Sequence, residues 1–281
     1  MDNYHIHSDF CDGKDSVEAM ADAAFRAGFD RIGFTSHAPL AYPDDWTMPI
    51  ERVEDYIQAV RAAEVKYAGQ MSVYTGLEVD YYPWRRGISD EVRGILPSLD
   101  YWIGSVHCLG LFDDGEVGYA DLDADHFRRC ADEIYHGDIR SVVSVYYRAV
   151  AEMALREKPD IIGHIDLIKK NNAENRFFDP ESAWYRDLWH EALDAVKASG
   201  SIVELNTGGA ARYGRRCLYP SVEILKEAAA KGIPVTVTGD SHTTETIAYG
   251  YDDLVPEALG AAGVSSIVFY DGQSWRETGI R

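Results

Sequence analysis

The chain has 281 residues, 46% hydrophobic and 26% charged, an ordinary globular balance. Its formal charge of -20 excludes a nucleic-acid polymer as the general partner, because grip on a phosphate polyanion rests on basic surface. No apolar stretch is long enough to span a bilayer, no leader-like segment precedes the first strand, and Cys11, Cys108, Cys130 and Cys217 lack knuckle or disulfide-framework spacing, so a soluble cytoplasmic protein with free thiols and no membrane partner is expected.

Strand and helix alternate along the whole sequence. Residues 4–7 read as a short strand, and Ser16 caps a helix that begins at Val17 and stops at Gly28. Strand two covers 31–36, followed by a helix over 50–68 with apolar Val53, Ile57, Val60 and Ala63. Strand three is 72–79, a short helix 91–96, and strand four 101–106. A helical stretch over 123–157 splits near His136-Gly137-Asp138, before strand five at 161–165 and a helix at 180–199. Strand six is 202–206, and a helix over 221–231 is closed by Gly232. Strand seven is 234–238, a last helix 254–262, and a final apolar run 265–270.

Repeated βα units of this kind predict a parallel sheet with helices outside it. Seven or eight such units fit a closed barrel, here one domain over residues 1–281. The loops after strands two, four and six (38–49, 109–122 and 207–220) exceed the ~2–6 residues usual for such connections. They are the expected substrate loops.

Acids and imidazoles recur where these strands end: His5-x-His7, His37, Glu78, His107, His164 and Asp240-x-His242. Residues two apart on a strand share a face, so each paired motif can aim both side chains at one ion. A lone histidine at a strand end is more often structural, but four separate strands ending this way point to one convergent site. Glu78 sits among apolar neighbours and is costly to bury unless it is paired, which a bridging place between cations would achieve. Asp166 is placed to support His164. His126, His136 and His190 fall in charged helical segments and read as solvated surface. Tyr81-Tyr82-Pro83-Trp84 reads mainly as packing, with room to stack a planar substrate group.

These residues, with the phrases Phe34-Thr35-Ser36-His37, Gly163-His164-Ile165-Asp166 and Glu204-Leu205-Asn206-Thr207, resemble the PHP (polymerase and histidinol phosphatase) superfamily, particularly its stand-alone histidinol-phosphate phosphatases. The resemblance implies a distorted (β/α)7 TIM-like barrel with two to three divalent metals, Zn, Mn or Fe. It assigns His5, His7, Glu78 and Asp240 to one metal, and Glu78, His107 and His164 to a second. The third would take His37, His242 and a residue from the loop after His7, with Asp12 the natural choice and Asp15 the second. It further places Arg212 and Lys169 on the phosphate, with Arg215 and Arg216 as other candidates. The implied reaction is hydrolysis of a small phosphate monoester, L-histidinol phosphate giving L-histidinol and phosphate. Glu78, Asp240 and His242 would be catalytic, the leaving alkoxide taking its proton from Asp240 or His242.

Rival readings are a phosphodiesterase on a small nucleotide, an amidohydrolase-type metal hydrolase, and a metal-loaded regulatory module of the kind appended to polymerases. Asp240-x-His242 and Glu78 favour the phosphoesterase over the amidohydrolase, and a nearly complete ligand set argues against the module.

Overall fold

The computed structural model describes residues 1–280. The strands are β1 Asp2–Ile6, β2 Arg31–Phe34, β3 Ser72–Thr75, β4 Glu78–Asp80, β5 Ile103–Ser105, β6 Cys108–Leu111, β7 Val117–Tyr119, β8 Ile161–Ile162, β9 Ile202–Asn206, β10 Val235–Thr238, β11 Ser266–Tyr270 and β12 Trp275–Gly279. Between them run helices α1 Val17–Arg26, α2 Val53–Tyr67, α3 Asp90–Ile95, α4 Ala124–Arg129, α5 Ile139–Arg156, α6 Ala183–Ser199, α7 Gly208–Tyr213, α8 Val222–Ala230 and α9 Leu254–Ala262.

The parallel strands form two sheets, β1-β2-β3 and β10-β9-β8-β5-β4. Lone parallel bridges join them at both seams, Ile6 to Ser241 and His37 to Glu78. Since β3 and β4 follow one another along a single bent strand, the ring closes with seven staves, a distorted (β/α)7 barrel. Gly76 marks the bend: a Cβ there would lie 2.9 Å from Thr35 Cγ2 and 3.0 Å from the Tyr101 carbonyl, so only glycine lets the chain pass.

Helices start where their caps dictate. Ser16 Oγ accepts from Ala19 N at 3.2 Å, and Asp123 and Asp138 cap α4 and α5 in the same way. The expected break near His136 is real, with His136 at φ 55° and Gly137 at φ 81°. Several strands end earlier than the apolar runs, because residues such as His107 and His164 leave the ladder to enter the site. Two of the long loops carry structure that polarity concealed: β6 and β7 form an antiparallel hairpin, and α7 is a short helix. The chain ends in a second hairpin, β11–β12, which packs with Tyr4, Tyr101, Ile103, Ile161 and Ile202. Those residues mark the strand beginnings, so this hairpin closes the end of the barrel opposite the imidazoles. Among the described residues no helix is long and apolar enough to cross a membrane.

Candidate metal centre

All the imidazoles at strand ends meet at the carboxyl-terminal mouth of the barrel. Glu78, 1% exposed, lies at the centre. Its Oε2 is 3.1 Å from His5 Nε2, 3.4 Å from His7 Nε2 and 3.0 Å from His37 Nδ1. Its Oε1 is 2.9 Å from His164 Nε2 and 3.7 Å from His107 Nε2, and accepts from Ser105 Oγ at 2.6 Å. Asp240 Oδ1 lies 3.2 Å from His7 Nε2, and Asp12 Oδ1 lies 3.3 Å from His242 Nε2 and 3.8 Å from His37 Nε2.

The backbone is shaped to deliver these groups. His5 and His7 lie on one face at the end of β1, their ring centroids 5.1 Å apart. Asp240 sits at φ 43°, a left-handed conformation that costs a non-glycine residue energy and recurs at functional sites. Gly208 makes room for that turn, since a Cβ on it would lie 2.7 Å from the Asp240 carbonyl oxygen.

Charge balance inside the cluster follows from burial and contact. Burial resists ionising Glu78, yet His37 and His5 outweigh it and hold the carboxyl well below its ordinary range. Asp240 is likewise held low against burial by Arg212 and His5. Burial disfavours a charged His5, but the Glu204, Glu78 and Asp240 carboxylates raise its proton affinity. His7 goes the other way, pushed down by burial and by its neighbours His242 and His37. Against burial, Asp80 lifts His107 to about 10.

Six buried atoms of this cluster make no well-aligned hydrogen bond, although three of the imidazole nitrogens lie close to Glu78 or Asp240: His5 Nε2, His7 Nε2, Asp12 Oδ1, His37 Nδ1, Glu78 Oε2 and His164 Nδ1. Buried polar atoms are nearly always satisfied, so so many orphans in one cluster signal a ligand. The outer nitrogens are anchored: His5 Nδ1 is 2.9 Å from Glu204 Oε2 and His107 Nδ1 is 3.1 Å from Asp80 Oδ1. A carboxylate behind an imidazole fixes the ring and presents the other nitrogen, as at metal sites. Three donor sets have ligand atoms within 4.8 Å of one another: His7, Asp12, His37 and His242; His5, His7 and Asp240; His37, Glu78 and His107. Imidazole and carboxylate donors of this kind suit Zn, Fe or Mn. His37 comes as close to Glu78 and His107 as a donor set requires, and His164, which the resemblance groups with those two, has its Nε2 2.9 Å from Glu78 Oε1.

The basic and outlying residues divide. Arg212, with 34% of its side chain exposed, donates to Asp240 Oδ2 at 2.9 Å and to His242 Nδ1 at 2.6 Å, and lines the cavity above the cluster. Lys169 does not reach that cavity, since it donates to Asp166 Oδ2 and to the Leu218 carbonyl at 2.6 and 2.7 Å. Its neighbour Lys170 lines the cavity instead. The short helical turn over Leu167–Lys169 rotates consecutive lysines to different sides, which spacing alone does not reveal. Arg215 pairs with Asp253 and Glu257 on the surface, and Arg216 reaches the Lys170 carbonyl. Asp166 takes Lys169 and the Ser221 amide, so it does not support His164. Asp15 accepts from Thr244 N at 2.8 Å and lies outside the donor sets, leaving Asp12 from that loop.

Further corrections concern rings. His126 is not solvated surface: its Nε2 accepts from Tyr119 N at 2.9 Å. Tyr81 and Tyr82 are buried, and Trp84 donates to Tyr42, so that stretch forms no substrate wall. Trp46 takes that place, its ring 4.6 Å from His37 and 5.7 Å from Tyr119. Sequence reasoning gave no role to Glu204, Asp80, Trp46, Asp121 or Lys170. For Asp80 a signal existed, because it lies two residues beyond Glu78 on one strand face. All three long loops line the cavity, which has a volume near 920 Å³.

The PHP domain family matches residues 3–208. A histidinol-phosphatase of Bacillus subtilis is 31% identical over 265 residues, covering 88% of this chain and 96% of its own. A Deinococcus radiodurans protein described as a probable histidinol-phosphatase is 30% identical over 264 residues, 92% and 93% of the two chains. The fold is shared with the crystal structure of a Lactococcus lactis histidinol phosphate phosphatase complexed with zinc, L-histidinol and phosphate, at TM-score 0.69 and 18% identity over 98% of each chain. The chain belongs to the PHP family.

Proposed function

We propose that the chain hydrolyses L-histidinol phosphate to L-histidinol and phosphate, a phosphoric monoester hydrolase of histidine biosynthesis acting in the cytoplasm. One observation carries the reaction class: six buried donor atoms without a well-aligned hydrogen bond converge beneath a cavity whose rim holds the Arg212 guanidinium. The choice of ester rests on the relatives that align along roughly nine-tenths of both chains. The site would hold two to three divalent transition metals on His5, His7, Asp12, His37, Glu78, His107, His164, Asp240 and His242. When bound, such ions supply Lewis-acid polarisation of phosphate oxygens and an activated water.

The chain's own groups do the rest. Glu78 and Asp240 are the carboxylates that would balance the charge of the bound cations, Glu78 lying among five imidazoles. Glu204 and Asp80 fix the rings of His5 and His107. Arg212 offers a planar fork that suits phosphate oxygens two at a time, and Lys170 adds a point charge across the cavity. Asp240, held as the carboxylate, would take the proton that the attacking water releases and return it to the leaving alkoxide, with His242 beside it at the rim.

The test is phosphate release after separate reconstitution with Zn, Mn and Fe(II). Histidinol phosphate should give the highest kcat/KM when set against an aryl phosphate and a dinucleotide. Preference for the dinucleotide would transfer the protein to the phosphodiesterases, and a metal content of one or none would end the multinuclear assignment.

A further inference from the structure

Two cations of the cavity wall come from different parts of the chain, and a buried ion pair ties those parts together. Lys170 follows the helical turn after β8, while Arg212 sits on α7 in the loop after β9. Asp166, its side chain fully buried, opens that turn and pairs with Lys169, whose side chain is 17% exposed. Lys169 Nζ donates to Asp166 Oδ2 at 2.6 Å and to the Leu218 carbonyl at 2.7 Å. The same Oδ2 accepts from Ser221 N at 2.9 Å. The turn that leads to Lys170 therefore holds the stretch from Leu218 to Ser221, where the loop carrying Arg212 returns to β9 through the Asn206–Tyr219 bridge.

The grip reaches Arg212 through close packing. Helix α7 opens with Gly208 and Gly209, and neither has room for a side chain. A Cβ on Gly208 would lie 2.7 Å from the Asp240 carbonyl oxygen, and one on Gly209 would overlap the Tyr219 ring and the Cys217 carbonyl. The first turn of α7 is thus wedged against the Asp240 turn and against the segment that Asp166 and Lys169 hold. Arg212, three residues beyond Gly209, donates to Asp240 Oδ2 at 2.9 Å. Lys169 Nζ also lies 5.1 Å from the centroid of the Tyr219 ring on which α7 rests.

A buried charge pair is a poor source of stability, because desolvation offsets its attraction and well-packed apolar residues often serve a fold as well. Asp166 Oδ1 makes no hydrogen bond although the side chain is fully buried, which adds to the cost. What the pair supplies is direction, since its bonds fix where two backbone segments meet. We propose that Asp166 and Lys169 are positioning residues for phosphate binding: their ion pair clamps the Arg212 loop to the turn that leads to Lys170, and so sets where the guanidinium stands. The proposal rests on the phosphomonoesterase reading above and deepens it, giving Lys169 a part that needs no contact with phosphate. An arginine fork works only when its N–H groups meet the phosphate oxygens in line, so a small drift of α7 weakens it.

The experiment uses the metal-loaded enzyme with inorganic phosphate as the probe, its inhibition constant read against phosphomonoester hydrolysis. Asp166→Asn/Lys169→Met removes both charges together, so neither is left buried alone. The inhibition constant should rise roughly 10-fold, about the worth of one hydrogen bond to a charged group. Hydrogen exchange at the Leu218, Tyr219 and Ser221 amides should quicken roughly 10-fold as the clamp opens. In an Arg212→Ala background the same changes should alter the inhibition constant less than about 2-fold, since a residue that acts through another has no effect once that one is gone. Asp166→Asn alone, close to wild type in shape, should move both readings the same way by roughly 3-fold, and it covers a double variant that fails to fold. Equal losses with and without Arg212 would mean that Lys169 meets the phosphate itself, and would overturn the clamp. An unchanged inhibition constant overturns it too, even with faster exchange, leaving the pair to hold the loop for the fold alone. Metal content should match wild type in every sample, and a fall would show the pair supporting His164 instead. A wild type that neither hydrolyses a phosphomonoester nor binds phosphate removes the reading above, and this inference with it, whatever the exchange rates.

Discussion

The two ends of the barrel are built from the same strands and treat polar atoms in opposite ways. At the closed end, Tyr101 Oη donates to the Tyr4 carbonyl at 2.6 Å, Tyr4 Oη accepts from Tyr270 N at 3.0 Å, and Tyr74 Oη donates to the Tyr270 carbonyl at 3.2 Å. Tyr4 and Trp275 pack edge to face at 5.1 Å, and the indole N–H reaches Asp160. At the open end the imidazoles of His5, His7, His37 and His164 each keep a buried nitrogen without a well-aligned hydrogen bond. One end is satisfied and holds the fold together, while the other stores unsatisfied donors that only a ligand can complete. Barrel enzymes divide stability and chemistry between their two faces in this sense.

The hardest strike on the open end is Glu78→Gln. It keeps the shape but removes the charge that five imidazoles surround. At least one metal should be lost, and kcat should fall by roughly a thousandfold or more, since ligands of one cluster act as a unit. Metal analysis and phosphate release on the same sample check this. Full metal content with full turnover would remove Glu78 from the centre of the account.

The matching strike on the closed end is Tyr101→Ala. Tyr101 is 2% exposed, and its loss leaves a cavity beneath the hairpin at a cost of about 3–5 kcal/mol. Denaturant unfolding should show that loss while turnover per folded, metal-loaded molecule stays near wild type. A large fall in kcat with unchanged stability would erase the division between the ends.

The same contrast explains what the sequence disclosed. Strand ends and their acids were legible because a strand has period two and a barrel gathers its carboxyl ends, so His5, His7, His37, Glu78, His107, His164, Asp240 and His242 could be named together. The supporting groups were harder to see. Glu204 lies inside a strand buried on both faces, where no alternation singles it out, and its carboxylate reaches His5 from 199 residues away in sequence. Lys169 and Lys170 differ by a single step around a helical turn, and only the turn's orientation decides which enters the cavity. The final hairpin was half visible, its first strand apolar and its second, Trp275-Arg276-Glu277-Thr278-Gly279, largely exposed and polar. Loops 109–122 and 207–220 were recognised by length, but their hairpin and helix depend on tertiary contacts that local composition does not record.

His126 supplies the smallest test, because it touches the open end only through Tyr119. Its Nε2 accepts the Tyr119 amide, and Tyr119 in turn meets Trp46 in the cavity wall. A protonated ring offers no acceptor, so the bond requires neutral His126. Burial lowers its proton affinity below the ordinary 6.5, with Glu116 and Asp123 opposing and Arg129 adding to the effect. The native state then holds fewer protons than the unfolded chain around that pH. The contribution is fully present above about pH 6.5 and is lost as the pH falls through the lower folded value. Solvent screening at a half-buried ring keeps it to about 1 kcal/mol or less. Between pH 7.5 and 5.5, about one unit either side of the ordinary histidine value, wild type should lose more stability than His126→Gln, which keeps a neutral acceptor. Over the same interval KM should climb more steeply in wild type, since the amide of a wall residue is being released. Parallel stability and KM profiles for the two proteins would show that the ring titrates without consequence for the wall.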